Sequence, residues 1–305
     1  MIIHIGFHKT GTTYLQRHVF TPENGYCAPW NVSSGEAIEH FVLTNDRKYR
    51  SDFVRNEFKH ASGICEGSKY IRVISHEDLC GYPVYSRYYG HHVAKRIKET
   101  FPEAKILICI REQKSMIRSL YGQYISQDGE WPLSTFLGKG FERPGYRPIL
   151  QLEHYEYDLM VNHYQELFGV EQVLVLPYEL LKEDSPSFEK EIHVFSGSNA
   201  VSSEKVNREN VGYGAKALQI NRLLNHVLKK PPLTSGEYSS LPILYRAKNR
   251  ICRVLNSVIP NSIHAAEEKK ILNTIDDFVG EYYKASNQRL SKMVSFDLKN
   301  YQYNL

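Results

Sequence analysis

Apolar positions along this chain alternate between short unbroken runs and stretches with helical spacing. Ile2, Ile3, Ile5 and Phe7 open the chain as a short buried strand. Tyr70-Ile71-Arg72-Val73-Ile74-Ser75 forms a second run, Ala104 to Arg111 a third, and Val173-Leu174-Val175-Leu176-Pro177 a fourth. The third is apolar almost throughout, as expected of a strand buried on both faces. Between these runs the spacing turns helical, over 88–101, 114–126, 150–168 and 187–196, with Gly169 placed as a helix stop. Residues 21–64 are polar and broken by Pro22, Gly25, Pro29 and Gly35, which predicts loops and short helices near 37–45 and 49–58. The Gly- and Pro-rich stretch 128–148 predicts a loop with a short helix near 133–137. After a polar segment, 197–213, helical spacing returns over 214–229, 241–258 and 265–292. Strands alternating with helices predict an α/β fold, a parallel sheet flanked by helices. The expectation is a single domain over 1–305, with an α/β core to about residue 200 and a mainly helical C-terminal region.

The first strand breaks at His8-Lys9-Thr10-Gly11-Thr12-Thr13 and resumes with helical spacing at Tyr14. Strand, small Gly/Thr turn and helix place free backbone N–H groups and the positive end of a helix dipole around one point. Lys9 adds a full charge, and the threonines add hydroxyl donors. This is a cradle for a phosphate-type or sulfate-type anion. Gly6, Gly11 and Thr13 fit the frame of a nucleotide-binding P-loop, but Thr12 stands where that loop carries its lysine. A γ-phosphate site is therefore disfavoured.

Composition narrows the class. The chain has 305 residues, 42% hydrophobic and 24% charged, with a formal net charge of +4. That balance suits an anionic small molecule and argues against nucleic acid as a partner. The five cysteines are scattered, without a C-x-x-C pair, and are expected to be free thiols in a reducing compartment. The first strand begins at residue 2, and no stretch approaches the ~18 apolar residues of a membrane span, so a cytoplasmic enzyme is expected.

His8-Lys9-Thr10-Gly11-Thr12-Thr13 closely resembles the 5′-phosphosulfate loop of the sulfotransferase family, a P-loop-like α/β fold. Arg111-Glu112-Gln113-Lys114-Ser115-Met116-Ile117-Arg118-Ser119 resembles that family's second motif, a strand ending in Arg with a Ser eight residues on. Looser likeness extends to Tyr155-Glu156-Tyr157-Asp158, the Phe168-Gly169 helix end and Pro177-Tyr178-Glu179, closest to the bacterial and glycan-modifying members. The resemblance implies 3′-phosphoadenosine 5′-phosphosulfate (PAPS) as donor, with adenosine 3′,5′-bisphosphate as product and no metal. It assigns the 5′ end to His8, Lys9, Thr10, Gly11, Thr12 and Thr13, and the 3′-phosphate to Arg111 and Ser119. A family loop containing Arg-Lys-Gly has no match here; Asn207-Arg208 and Gly212-Tyr213-Gly214 lie where it would fall.

Sulfuryl transfer to a hydroxyl needs a base for the departing proton. His76-Glu77-Asp78 follows the second strand, at the carboxyl end where open parallel sheets bind ligands. The likeness to glycan-modifying members favours Glu77 as base over His76; an N-cap role, for which Asp78 suffices, is the structural alternative. Lys9 would stabilise the leaving group. The implied acceptor is a carbohydrate or glycolipid, with peripheral membrane contact if it is lipid-linked. Aromatic clusters at 82–89 and 121–124 are candidates for sugar stacking or for core. Two other readings compete: an unusual P-loop kinase, and a non-catalytic nucleotide-binding protein of the same fold.

Overall fold

Five strands pair in parallel in the order β2-β3-β1-β4-β5. They are β1 (Ile2–His4), β2 (Tyr26–Trp30), β3 (Ile71–Ser75), β4 (Lys105–Ile110) and β5 (Val173–Pro177). The structure is a computed structural model that describes residues 1–30, 35–65, 70–81, 88–138, 150–200, 213–228 and 242–305. β1 is central, with Ile3 opposite Ile74 on one side and Ile106 on the other. Ile2, Ile3, Val73, Ile74 and the run Ile106 to Ile110 are all fully buried, as a parallel sheet covered on both faces requires.

β2 is a strand where the polar pattern predicts a loop. Pro29 lacks an N–H and is normally excluded from a sheet interior. Here it sits on the edge strand, at the place where the register against β3 shifts between Cys27 and Trp30. A second difference concerns cysteine. Cys27 and Cys65 form a disulfide with their Cα atoms 6.1 Å apart, while Cys80, Cys109 and Cys252 are free and buried. Widely spaced cysteines carry no sequence signal for pairing, so the expectation of five free thiols is corrected by tertiary proximity alone.

The longer helices are α1 (Ser51–Ala61), α2 (Gly90–Thr100), α3 (Gln113–Ser126), α4 (Tyr157–Phe168), α5 (Ser185–Ser196), α6 (Ala215–Asn225), α7 (Pro242–Val258), α8 (Asn261–Val279) and α9 (Lys284–Leu290). The expected helix over 150–168 is a short 3₁₀ turn at Leu152–Tyr155 followed by α4, which Gly169 ends at φ 91°. The expected helix over 265–292 is interrupted at Gly280, φ 49°, giving α8 and α9.

Residue proximity divides the chain into two compact units. The first comprises Met1–Gln113, Leu152–Glu209 and Glu281–Leu305 and contains the whole sheet. One of its cores joins Ile2, Val73, Leu107, Leu176, Phe188 and Ile192, bringing α5 onto the sheet. Trp30, Phe58 and Phe101 pack edge to face at 4.9 and 5.2 Å, seating α1. The second unit, Lys114–Gln151 and Asn210–Gly280, is helical among its described residues, with α6 packed on α7 and α8.

Candidate functional site

The loop after β1 has an unusual backbone. Lys9 and Gly11 both have positive φ, 65° and 91°. Glycine reaches that region freely, whereas a lysine does so at a cost, and such positions concentrate at functional sites. Two left-handed residues in so short a span turn the chain sharply between β1 and the helix that follows. A Cβ at Gly11 would come within 2.5 Å of Leu181, so the close packing beneath the loop also requires glycine. The following helix starts at Thr12, with Leu15 N–H donating to the Gly11 carbonyl. It widens over Leu15–Val19, where Phe20 N–H reaches back to Leu15 O at 2.8 Å.

The threonines divide by role. Thr10 Oγ1 donates to Phe7 O at 2.5 Å, so this hydroxyl ties the loop to itself and is not a donor for a ligand. That corrects the expectation for Thr10, leaving its amide. Thr12 is buried and its Oγ1 has no partner. An orphaned hydroxyl at the first turn is the counterpart that a bound oxyanion would satisfy. Thr13 is half-buried on the same turn.

Lys9 is half-buried, and its ammonium makes no hydrogen bond or ion pair among the described residues. Burial lowers its pKa, the Glu77 carboxylate partly offsets this, and Arg111 adds to the lowering. A cation kept short of partners beside a second cation is poised for an anion. Arg111, at the end of β4, donates from Nη1 to Lys9 O at 3.2 Å and lies over the Tyr178 ring at 4.9 Å. Tyr157 donates to the Arg111 carbonyl at 2.7 Å, and Glu179 accepts from Glu112 N–H at 3.2 Å. The carboxyl ends of β4 and β5 are thereby locked around the guanidinium. Ser119 stands half-buried on α3, within the second unit, whereas Arg111 belongs to the first. Asn207 and Arg208 lie outside the described residues.

At the end of β3, His76 Nδ1 accepts the N–H of Asp78 at 3.1 Å. The N-cap is therefore His76, not Asp78. Burial lowers the His76 pKa against the opposing pull of Asp78 and Glu77, so its ring is neutral and already engaged. Asp78 instead lies 2.8 Å from His8 Nε2, with Glu77 Oε1 at 4.0 Å from the same nitrogen. His8 is buried, 2% exposed, so its ring braces the loop against β3. Glu77 keeps about a third of its side chain open and is within electrostatic reach of Lys9.

Sequence reasoning missed three contributors. Asp78 read only as a cap, Tyr178 as part of a strand end, and His154 not at all. His154 packs edge-on against Phe7 at 5.3 Å and Tyr88 at 5.4 Å, and burial holds its pKa at about 3. The adjacent strand-end signal of Pro177-Tyr178-Glu179 was available for Tyr178; nothing local marks His154. Of the aromatic clusters, residues 82–87 lie outside the described residues. Tyr121 and Tyr124 pack with Phe136, and the Tyr124 hydroxyl accepts from Glu130 and Trp131 N–H, a structural use.

No family model matches the chain, and no curated protein matches it. Among solved structures, a sulfotransferase from Alicyclobacillus acidocaldarius is similar, with a TM-score of 0.51 at 18% identity, covering 86% of this chain and 97% of that one. The chain has a sulfotransferase-like fold. Among the described residues no helix is long and apolar enough to cross a membrane.

Proposed function

We propose that this chain is a PAPS-dependent sulfotransferase acting on a hydroxyl of a carbohydrate or glycolipid. The observation that carries the reading is Lys9, at positive φ three residues before the orphaned Thr12 hydroxyl, its ammonium without a hydrogen bond or ion pair among the described residues and within electrostatic reach of Glu77. PAPS supplies an activated sulfuryl group whose S–O bond to the 5′-phosphate is the one that breaks. The loop amides from Thr10 to Thr13 and the Thr12 hydroxyl would hold the 5′-phosphate. Arg111 would take the 3′-phosphate, since a guanidinium offers parallel charge-assisted donors. Glu77 would accept the proton as the acceptor oxygen bonds to sulfur. Lys9 would meet the charge that grows on the departing phosphate oxygen. A half-open carboxylate beside an engaged, neutral His76 favours Glu77 as the base, and with it a sugar hydroxyl over a phenol. For location, the Cys27–Cys65 bridge supports an oxidising compartment over the cytoplasm.

Calorimetric titration tests the donor. Adenosine 3′,5′-bisphosphate should bind more tightly than ATP, and Arg111→Ala should weaken it by ~1.5–3 kcal/mol, the scale of one charged hydrogen bond. Adenosine 5′-phosphosulfate, which lacks the 3′-phosphate, should be little affected by the same change. Tighter binding of ATP would overturn the donor assignment. Equal losses for both ligands would reassign Arg111 to supporting the Lys9 carbonyl.

A further inference from the structure

Helix α7 in the second unit carries more lysines and arginines than any other of the long helices. From residue 242 to 258 it contains four basic residues and no acidic one. Its inward face is settled: Cys252 is fully buried, and Lys248, 1% exposed, bonds Asp128 at 2.6 Å and Asn225 at 2.9 Å. The outward face carries apolar residues that a soluble surface does not call for. Ile251 is 49% exposed, Val254 54% and Val258 70%. At 3.6 residues per turn, Arg253, Arg250, Val254, Val258 and Ile251 follow one another around an arc of about 160°. Both arginines are exposed and sit at one edge of the apolar stripe. The stripe runs to the end of α7, and Ile263 at the start of α8 is also exposed, at 46%. The first acidic residue of α8 is Glu267, more than a turn further on.

Scattered exposed aliphatics are ordinary, but a stripe at i, i+3 and i+7 with two arginines along one edge and no acidic residue on the helix is the pattern of an interfacial helix. Its charge selects the occupant. A protein groove for such a helix would need matching acidic residues, whereas an anionic bilayer offers apolar depth and diffuse negative charge together. Nucleic acid would satisfy the arginines and leave the valines in water.

We propose that the outward face of α7, with the turn into α8, docks on an anionic lipid surface, seating Ile251, Val254 and Val258 at the headgroup–acyl boundary. This docking is independent of the reaction proposed above, and its test reads partitioning alone. The full chain is floated with phosphatidylcholine vesicles and with vesicles containing about a third phosphatidylglycerol. Binding should be at least tenfold stronger to the anionic vesicles and should fall steeply with salt. Arg250→Gln with Arg253→Gln should reduce it about tenfold or more, since each cation near such a surface contributes about fivefold. Val254→Glu with Val258→Glu should remove it, with the melting curve unchanged because both positions are exposed. Val258→Trp should show a blue-shifted emission on anionic vesicles only. Equal binding to both vesicle types, or retention of binding by the glutamate pair, would overturn the proposal. Self-association without lipid that the glutamate pair abolishes would overturn it too, by assigning the face to a second copy. Should the glutamate pair unfold, the arginine pair and the tryptophan probe still decide.

Discussion

Lys9 and Lys248 put the same side chain to opposite uses. Lys248 is 1% exposed in the second unit, and its ammonium bonds Asp128 and Asn225, whose amide in turn holds the Ile125 and Gly129 carbonyls. Asp128 takes φ 69° to complete the arrangement. Lys9 is half-buried in the first unit, also at positive φ, and has no hydrogen-bond or ion-pair partner among the described residues. A buried charge must be paired or it destabilises the fold, so Lys248 is a strut. A cation left short of partners at a cleft is tolerated only where something else will pair with it. What separates a site from a strut is completeness of pairing, which neither residue type nor local pattern reveals.

The sharpest separation is expected at the end of β3. Glu77→Gln keeps the shape and removes the proton acceptor, so turnover should fall by ~10²–10⁴-fold with nucleotide affinity and melting temperature unchanged. His76→Asn, a change at the cap, should cost far less turnover. If the histidine variant is inactive and Glu77→Gln is not, the roles reverse, and the sugar-hydroxyl reading loses its support.

Next comes the lysine pair itself. Lys248→Ala removes a buried ammonium from its contacts with Asp128 and Asn225 and should destabilise its unit by ~3–5 kcal/mol in denaturant unfolding. Lys9→Ala should leave unfolding unaffected and lower turnover by ~10²–10³-fold, the usual loss when one stabilising donor is removed. A Lys9 variant that keeps its activity would make the loop an ordinary turn.

The disulfide extends the contrast to a covalent strut. Cys27 lies on the edge strand and Cys65 38 residues later, so reduction or Cys65→Ser should cost ~2–4 kcal/mol of stability while adenosine bisphosphate affinity is retained. Intact mass before and after alkylation reports whether the bridge forms in the purified chain. A fully alkylated unreduced chain would restore the free-thiol expectation.

The smallest effect is a slope. His4 lies beneath the loop, its Nδ1 2.8 Å from Ser75 Oγ and its Nε2 buried without a partner. Burial lowers its pKa to about 3, with His76 adding to the lowering, and burial does the same for His154. Between about pH 6.5 and pH 3 the unfolded chain binds protons that the native chain refuses. Stability therefore rises with pH through that window and falls on acidification, by up to ~1.4 kcal/mol per pH unit for each group. His4→Gln should remove one group's share of the slope. An unchanged slope would mean that His4 takes up its proton without unfolding.

Much of the first unit was legible in the chain. The unbroken apolar runs at Ile2, Val73, Ile106 and Val173 became β1, β3, β4 and β5, because burial on both faces leaves few polar positions to blur the pattern. The Lys9-to-Thr13 loop was equally readable, since its chemistry comes from consecutive residues. β2 was not, because an edge strand tolerates Pro29 and needs no alternation. Nor was Asp78 as the partner of His8, 70 residues away.

By itself the sequence determined the α/β class, the parallel strands and the tight Gly/Thr turn between β1 and the following helix, because periodicity and turn chemistry act over a few residues. Only the tertiary structure decided which side chains remain available. It engaged His76 as a cap and Thr10 as a brace, left the Thr12 hydroxyl and the Lys9 ammonium without partners among the described residues, and joined Cys27 to Cys65. The reason is physical: whether a polar group is satisfied depends on neighbours distant in the chain, brought close by packing of the core.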